Sequence, residues 1–123
     1  MTFSLFVYGT LLEGERMAGL LGNSPRQPAR VRGEIYRLPA GYPAMRVGGD
    51  SFVHGELVER TDDRTLTLLD QYEGVHEGLY QRVEVTALAG LERITAWAWV
   101  MDDPYLKGGK LIESGKWTVG RKR

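Results

Sequence analysis

Aromatic and β-branched residues cluster in five short segments of the chain, which predicts a β-rich fold. The first segment, residues 3–8, is almost entirely apolar and stops at Gly9, so we expect a strand that is buried on both faces. Residues 80–88 and 93–101 alternate between polar and apolar side chains around a short Gly-containing connection, which indicates a hairpin. The remaining predicted strands are residues 31–38 and 52–58, and the Pro- and Gly-marked residues 39–44 are predicted to form a loop.

Two other segments place apolar residues at helical spacing. Residues 12–21 carry Met17, Leu20 and Leu21 at that spacing and end before Gly22, which predicts a short helix. A second helix is predicted to begin at the polar capping residues 61–63 and to end between residues 71 and 74.

Five or six strands with two short inserted helices predict an α+β fold. Because a sheet of this size avoids exposed edges most easily by curling into a ring, we expect a small, mixed, closed β-barrel of about five to seven strands. The chain has 123 residues, of which 42% are hydrophobic, which suits a single domain over residues 1–123. Residues 118–123 read as a short basic tail.

Composition narrows the possible functions. The 16 basic and 16 acidic side chains balance, so there is no overall electrostatic attraction to nucleic acid or to an anionic membrane. No apolar run approaches the roughly 18 residues of a membrane span, and the N-terminus does not resemble a signal peptide, so we expect a cytoplasmic protein. The absence of cysteine excludes disulfides, thiolate nucleophiles and cysteine zinc sites. Since His54 and His76 are far apart and lack a ligand pattern, we predict no metal and no organic cofactor.

The first candidate site is the sequence Tyr8, Gly9, Thr10 and Leu11, where the first predicted strand ends. A glycine at that point lets the backbone turn unusually and leaves amide N–H groups free to bind an anion or a developing oxyanion. Taken alone, the same residues equally fit a plain strand-ending turn.

The second candidate is Glu73, which follows the second predicted helix and precedes Gly74. A carboxylate that is half-buried beside aromatic residues has its charged form disfavoured, which raises its pKa toward the range useful in acid–base catalysis. The alternative from the residue alone is a solvated glutamate at a helix end.

Tyr80 and Arg82 form the third candidate. They are two residues apart on a predicted strand and therefore share one of its faces, while the apolar residues that follow occupy the other face. Their shared face is turned either to solvent or to a polar cavity, and the pattern is compatible with both.

Four short motifs occur in a fixed order along residues 3–117. They are Tyr-Gly-Thr-Leu at residues 8–11, Gly-Tyr-Pro-Ala at 41–44, Leu-Asp-x-Tyr-Glu-Gly at 69–74 and Tyr-x-Arg at 80–82. Each motif is common by chance, but the ordered set resembles the gamma-glutamylcyclotransferase-like family, in particular its gamma-glutamylamine cyclotransferase and avirulence-induced-gene-like branch. A Gly-x-Trp sequence at residues 115–117 is similar to a further element of that family.

The resemblance implies a closed barrel with a cavity at one end and a role for each candidate residue. The backbone of residues 8–11 would cradle the gamma-glutamyl group, and Glu73 would be the catalytic acid and base. Tyr80 would lie near Glu73 and could orient it by a hydrogen bond. Arg82 would either bind the substrate carboxylate or belong to a structural ion pair.

The resemblance also implies a reaction. The alpha-amine of a gamma-glutamyl group would attack its own gamma-carbonyl, forming 5-oxoproline and releasing an amine or amino acid. The alternatives are a binding barrel without catalysis and a hydrolase of related gamma-glutamyl amides. We expect a small-molecule substrate, no nucleic-acid or membrane partner, and a monomer or weak homodimer, whereas the sequence does not identify the leaving group.

Overall fold

The computed structural model describes residues 2–9, 18–22 and 24–117. These ranges contain six β-strands, one α-helix and two short 3₁₀ helices. The strands are β1 (Thr2–Val7), β2 (Arg26–Arg37), β3 (Pro43–Asp62), β4 (Gln81–Ala89), β5 (Glu92–Val100) and β6 (Lys110–Leu111). The α-helix, α1, is Asp63–Tyr72, and the 3₁₀ helices are Ala18–Leu21 and Pro104–Lys107.

The strands form one mixed sheet in the order β3-β1-β5-β4-β2-β6, and β3 also pairs with β2. The pairing of β1 with β5 is parallel and the others are antiparallel. The six strands agree with the predicted number of about five to seven, but the prediction of a closed barrel needs correction. The sheet curls back on itself through β3, yet β1–β5 and β2–β4 are joined by single residue pairs, Leu5 with Trp97 and Arg30 with Leu88. The register shifts in the β1–β3 and β2–β3 pairings place the extra residues in β3, next to Arg60 and at residues 48–51, so β3 is the strand that bends. The ring of strands is therefore completed by short, irregular pairings and not by a continuous ladder.

The loop predicted at residues 39–44 is shorter than expected, because residues 43–47 pair with residues 33–37 in a hairpin. A tight turn closes this hairpin: the Leu38 N–H donates to the Tyr42 carbonyl (2.8 Å) and the Gly41 N–H donates to the Leu38 carbonyl (2.8 Å). Gly41 has a φ of 91°, which glycine adopts without steric cost. The turn signals in the sequence were therefore correct, but they marked the tip of a hairpin and not a long loop.

One of the two predicted helices is confirmed. The helix α1 starts where the sequence placed it, after Asp62, whose carboxylate accepts a hydrogen bond from the Thr65 N–H (2.9 Å). In the other predicted segment, the described residues form only the 3₁₀ helix Ala18–Leu21, and residues 12–17 lie outside the described residues. Glycine at position 19 weakens a regular helix there. Among the helices of the described ranges, none has the length and apolar character required to span a bilayer.

The core consists of two clusters on opposite faces of β1. Phe6 and Tyr8 belong to the cluster on the inner face of the curled sheet, whereas Leu5 and Val7 belong to the outer cluster under α1. All four side chains are at most 8% exposed, which confirms that this strand is buried on both faces. The inner cluster also contains Ala29, Val31, Ile35, Met45, Val53, Leu57, Val85, Ala87, Ala89, Ala96, Ala98, Val100 and Trp117. The outer cluster also contains Leu21, Val58, Leu66, Leu69 and Trp99.

We predict that Gly55→Ala destabilises the sheet. A Cβ atom on Gly55 would collide with the Val7 carbonyl and would come within 3.0 Å of the Phe6 ring, so β1 and β3 would have to separate. Overpacking of this kind typically costs about 1–3 kcal/mol of the free energy of unfolding. Urea denaturation should show this loss, whereas Ser51→Ala, at an exposed position of the same strand, should change stability by less than about 0.5 kcal/mol. Equal midpoints for the two variants would contradict the close contact between β1 and β3.

Candidate active site

A cavity of about 460 Å³ opens where β1, α1 and β5 end. Its wall is mostly apolar and aromatic, and Glu73 is the only carboxylate among the described residues that line it. The described lining residues include no lysine, arginine or histidine. They are Phe6, Val7, Tyr8, Gly9, Leu38, Tyr42, Pro43, Tyr72, Glu73, Leu79, Tyr80, Trp99 and Met101.

Glu73 reaches this cavity because the helix α1 ends abruptly at that residue. Gly74 adopts a φ of 67°, and its N–H donates to the Gln71 carbonyl (3.1 Å), while the Val75 N–H donates to the Asp70 carbonyl (3.0 Å). These two bonds form a Schellman motif, in which a left-handed glycine lets the chain turn back on the helix. The glycine that follows the glutamate in the sequence thus determines where the helix stops and where the carboxylate lies.

The surroundings of Glu73 favour the protonated carboxyl group. The side chain is half-buried, and desolvation raises its pKa from 4.5 to about 7. Burial disfavours the charged form because a carboxylate loses its hydration in an apolar environment. Of the two interpretations that the sequence left open, the structure therefore agrees with a partly desolvated carboxylate and not with a solvated glutamate at the helix end.

The side chain of Tyr8 is a structural element of the cavity wall. Its hydroxyl donates a hydrogen bond to the Trp99 carbonyl (2.6 Å) and accepts one from the Met45 N–H (3.2 Å). Burial, followed by the nearby charge of Glu73, raises the pKa of Tyr8, so the hydroxyl stays neutral. Because the Tyr8 hydroxyl already donates its proton to the Trp99 carbonyl, the main contribution of Tyr8 is to shape the cavity wall.

Of the predicted backbone cradle after Tyr8, the structure describes Gly9. This residue is buried and lines the cavity, and an added Cβ would lie 2.5 Å from the Pro43 Cγ atom. Only glycine allows the chain to pass so close to the proline ring. Thr10 and Leu11, which complete the predicted cradle, lie outside the described residues.

Tyr80 lines the cavity as expected, but its hydroxyl has a different partner from the one we anticipated. It donates to the Pro43 carbonyl (2.6 Å) and not to Glu73. Burial, and secondarily the charge of Glu73, raise the pKa of Tyr80 well above its usual value. The hairpin between β2 and β3, which the sequence did not reveal, is what brings this carbonyl within reach.

Arg82 is not among the residues that line the cavity. Its Nε atom donates to both carboxylate oxygens of Asp70 (2.9 and 3.2 Å), and its guanidinium group lies 4.5 Å from the centre of the Trp97 ring. Of the two roles left open by the sequence, the structure shows the ion pair. Tyr8, Gly9, Glu73 and Tyr80 are thus brought together at the cavity, and Arg82 lies outside it.

Several residues of the cavity wall were not among the candidate site residues that the sequence singled out. Tyr42 and Pro43 belong to the Gly-Tyr-Pro-Ala motif at residues 41–44, but the motif by itself does not reveal that these two residues line a cavity at the end of α1. Tyr72 and Leu79 flank Glu73 and remain partly exposed, at 37% and 55%. The signal available in the sequence was that aromatic and apolar residues lie close to the candidate acid along the chain. Within the described residues, no three histidine, aspartate or glutamate side chains converge as a metal site would require.

The fold and the site define a small α+β protein with a desolvated carboxyl group at an open cavity. Residues 5–119 match the family model described as "Gamma-glutamyl cyclotransferase, AIG2-like". The chain belongs to this family.

Individual relatives agree with this assignment. The chain is 32% identical over 114 residues to AIG2-like protein C of Arabidopsis thaliana, in a match that covers 86% of this chain and 64% of the plant protein. The crystal structure of YkqA from Bacillus subtilis has a TM-score of 0.76 and 26% identity, and the match covers 95% of this chain but 40% of YkqA. A structure of a gamma-glutamyl cyclotransferase has a TM-score of 0.66 and 23% identity, with 82% of this chain and 67% of that chain covered, which shows similarity of fold. The chain therefore spans less than two thirds of the length of the first two relatives.

We predict that the free energy of unfolding falls between about pH 4.5 and pH 8 because of Glu73. In that window the unfolded chain releases a proton that the folded chain keeps up to about pH 7, so ionisation favours unfolding as the pH rises. The penalty should reach on the order of 2–3 kcal/mol above pH 7. Glu73→Gln stays neutral and should remove it.

Urea denaturation at several pH values tests this prediction. The stability difference between Glu73→Gln and wild type should be small near pH 4.5 and should grow toward pH 8. Glu77→Gln, at an exposed position, is the matched control and should follow the wild-type curve. A difference that does not change with pH would show that the Glu73 carboxyl group is not desolvated.

Proposed function

We propose that this protein is a gamma-glutamyl cyclotransferase, in which Glu73 transfers the protons of an intramolecular ring closure. The observation that carries the proposal is a half-buried carboxyl group, with a pKa of about 7, on the wall of an otherwise apolar cavity. Membership of the gamma-glutamyl cyclotransferase, AIG2-like family supports the same conclusion independently.

The reaction requires no nucleophile from the enzyme, because the substrate carries its own. The alpha-amine attacks the gamma-carbonyl carbon, a C–N bond closes the five-membered ring, and the C–N bond to the leaving amine breaks. Well-oriented intramolecular attack can reach effective molarities of about 10⁵–10⁸ M. The main tasks of the cavity are therefore to fold the substrate into the reactive shape and to move protons.

Glu73 performs both proton transfers. As a carboxylate it accepts a proton from the alpha-ammonium group, which cannot attack while it is charged. As a carboxylic acid it returns the proton to the departing nitrogen, because a nitrogen anion is a poor leaving group. The attacking nitrogen loses a second proton as it becomes the lactam N–H, and the released amine takes up that proton and leaves as an ammonium ion. A pKa of about 7 leaves both forms populated near neutral pH, so the same group serves as base and then as acid.

The cavity wall provides the remaining contributions. In this proposal the backbone N–H groups of residues 9–11 hold the carbonyl oxygen as it gains negative charge. The position of Gly9 on the cavity wall supports this role, whereas Thr10 and Leu11 lie outside the described residues. A volume of about 460 Å³ lies within the range of about 300–1,000 Å³ that is typical of small-molecule sites. Tyr42, Tyr72 and Leu79 provide an apolar surface near the opening, against which the leaving group packs.

We predict that the protein releases 5-oxoproline from gamma-glutamyl compounds and that Glu73→Gln loses this activity by at least about 10²-fold, since one group acts as both base and acid. The measurement is 5-oxoproline release from a panel whose leaving groups are apolar amines, lysine, amino acids and peptides. Glu77→Gln is the matched control and should retain wild-type rates. Free glutamate as the product would instead establish a hydrolase, and equal rates for Glu73→Gln and wild type would reject Glu73 as the catalytic group.

We also predict that kcat/KM rises about tenfold per pH unit below pH 7 and levels off above it, because the proton acceptor is the ionised carboxylate. The pH at which kcat/KM levels off should coincide with the pH at which the stability difference between wild type and Glu73→Gln levels off, because both mark the pKa of Glu73 in the folded protein. Agreement between these two pH values would assign the rise of kcat/KM to the ionisation of Glu73 and not to that of the substrate amine. A kcat/KM that is constant from pH 5 to pH 8 would contradict the proposed role of Glu73.

A further inference from the structure

The side chain of Asp70 joins the last turn of α1 to two strands of the sheet. Its carboxylate accepts hydrogen bonds from the Arg82 Nε atom (2.9 Å) on β4 and from the Trp99 indole N–H (2.9 Å) on β5. Its side chain is 16% exposed, so the ion pair is largely shielded from water. Charge-assisted bonds in such a setting are stronger and more directional than surface ion pairs.

Asp70 is also part of the turn that presents Glu73. Asp70 lies in the last turn of α1 and Glu73, three positions further on, is the residue that caps the helix, so the two lie near the same side of it. The Asp70 carbonyl accepts the Val75 N–H bond (3.0 Å) that closes the Schellman motif around Glu73. One residue thus contacts the sheet through its side chain and the helix end through its backbone.

The contacts of Trp99 extend this connection to the cavity wall. Trp99 lines the cavity, and its carbonyl accepts the hydrogen bond from the Tyr8 hydroxyl (2.6 Å). Arg82 is held from its other side by the face of the Trp97 ring (4.5 Å). Asp70 therefore fixes the position of α1 relative to the same strand that holds Tyr8.

Apolar packing alone would leave the position of Glu73 poorly determined. The helix has ten residues, and its two buried side chains are Leu66 and Leu69. A helix of that length depends on tertiary contacts for its stability, and apolar contacts permit small rotations and translations because they are not directional. The bonds of Asp70 to Arg82 and Trp99 are directional side-chain contacts between the end of this helix and the sheet.

We propose that Asp70 is a positioning residue of this site: by binding Arg82 and Trp99 simultaneously, it holds the last turn of α1 so that the Glu73 carboxyl group stays at the cavity wall and out of water. The kinetic part of this inference rests on the proposed cyclotransferase function, and the structural part does not.

The test compares three variants by two measurements. Asp70→Asn keeps the shape and removes the charge, and Asp70→Asn with Arg82→Gln also removes the unpaired cation, so that the net charge of the pair stays zero. Glu56→Gln is the matched control, because the Arg26–Glu56 ion pair is similarly short (2.7 Å) and similarly buried but joins β2 to β3 instead of joining α1 to the sheet. The measurements are the kinetics of 5-oxoproline release and the titration of the Glu73 carboxyl carbon by NMR, with Glu73→Gln identifying the signal.

We expect both Asp70 variants to lower kcat by about 10–100-fold with KM changed by less than about threefold, because small displacements of a catalytic group cost rate more than binding. The Glu73 titration midpoint should fall from about 7 toward the ordinary range of a glutamate as the carboxyl group becomes hydrated. The titratable side chains that line the cavity with it are Tyr8, Tyr42, Tyr72 and Tyr80, none of which is altered in these variants. Glu56→Gln should leave kcat and the midpoint unchanged.

Two outcomes would overturn the proposal. One is an unchanged kcat and midpoint in Asp70→Asn, or losses equal to those of Glu56→Gln. The other is a wild-type kcat and midpoint in the double variant, which would mean that the charge of Arg82 alone caused the effect. If the wild type releases no 5-oxoproline, the cyclotransferase function fails, and the NMR titration alone decides the role of Asp70.

A milder variant serves if Asp70→Asn does not fold. Trp99→Phe keeps an aromatic ring but removes the N–H donor, so it breaks one of the two connections of Asp70. It should shift the Glu73 titration midpoint in the same direction by a smaller amount. An unchanged midpoint in a folded Trp99→Phe protein would contradict the proposal.

Discussion

The central constraint in this structure is the partial burial of one ionisable carboxyl group at the end of a short helix. The charged form of Glu73 is costly in its apolar surroundings, so the fold must hold the residue there against its tendency to reach water. The Schellman turn at Gly74 and the bonds of Asp70 to β4 and β5 supply that restraint. The burial that suits Glu73 to the proposed proton transfers therefore also lowers the stability of the fold.

The two core clusters explain why a chain of this size can sustain such a site. Because β1 is buried on both faces, it connects the interior of the curled sheet to the layer beneath α1. The cavity forms where this strand ends, and Tyr8 and Gly9 reach the hairpin turn and the helix end there. The contacts around the cavity are made by side chains and by the tight turns at residues 38–42 and 73–75. They therefore do not depend on a continuous ladder between β1 and β5 or between β2 and β4.

Local patterns were reliable wherever the decisive interaction lies within a few residues. The cap of α1 at Asp62 and the stop at Gly74 are such cases, because capping side chains and left-handed glycines act on the adjacent turn. The prediction at residues 12–21 was less successful: apolar spacing suggested a helix, and the described part is a 3₁₀ turn. The strand at residues 43–47 was missed because its pairing with β2 is a tertiary contact that a proline- and glycine-rich sequence hides.

The sequence by itself determined the helix α1, the family, the candidate acid Glu73 and the strands other than β6 and the first part of β3, because periodicity, capping and ordered motifs are properties of the linear chain. Only the tertiary structure decided that the Tyr80 hydroxyl binds Pro43, that Arg82 pairs with Asp70 outside the cavity, and that the sheet curls without a continuous ladder at every seam. These outcomes depend on which groups from distant segments come within hydrogen-bonding distance. The desolvation that raises the pKa of Glu73 has the same origin, since it depends on the packing of the whole cavity and not on the residues adjacent in sequence.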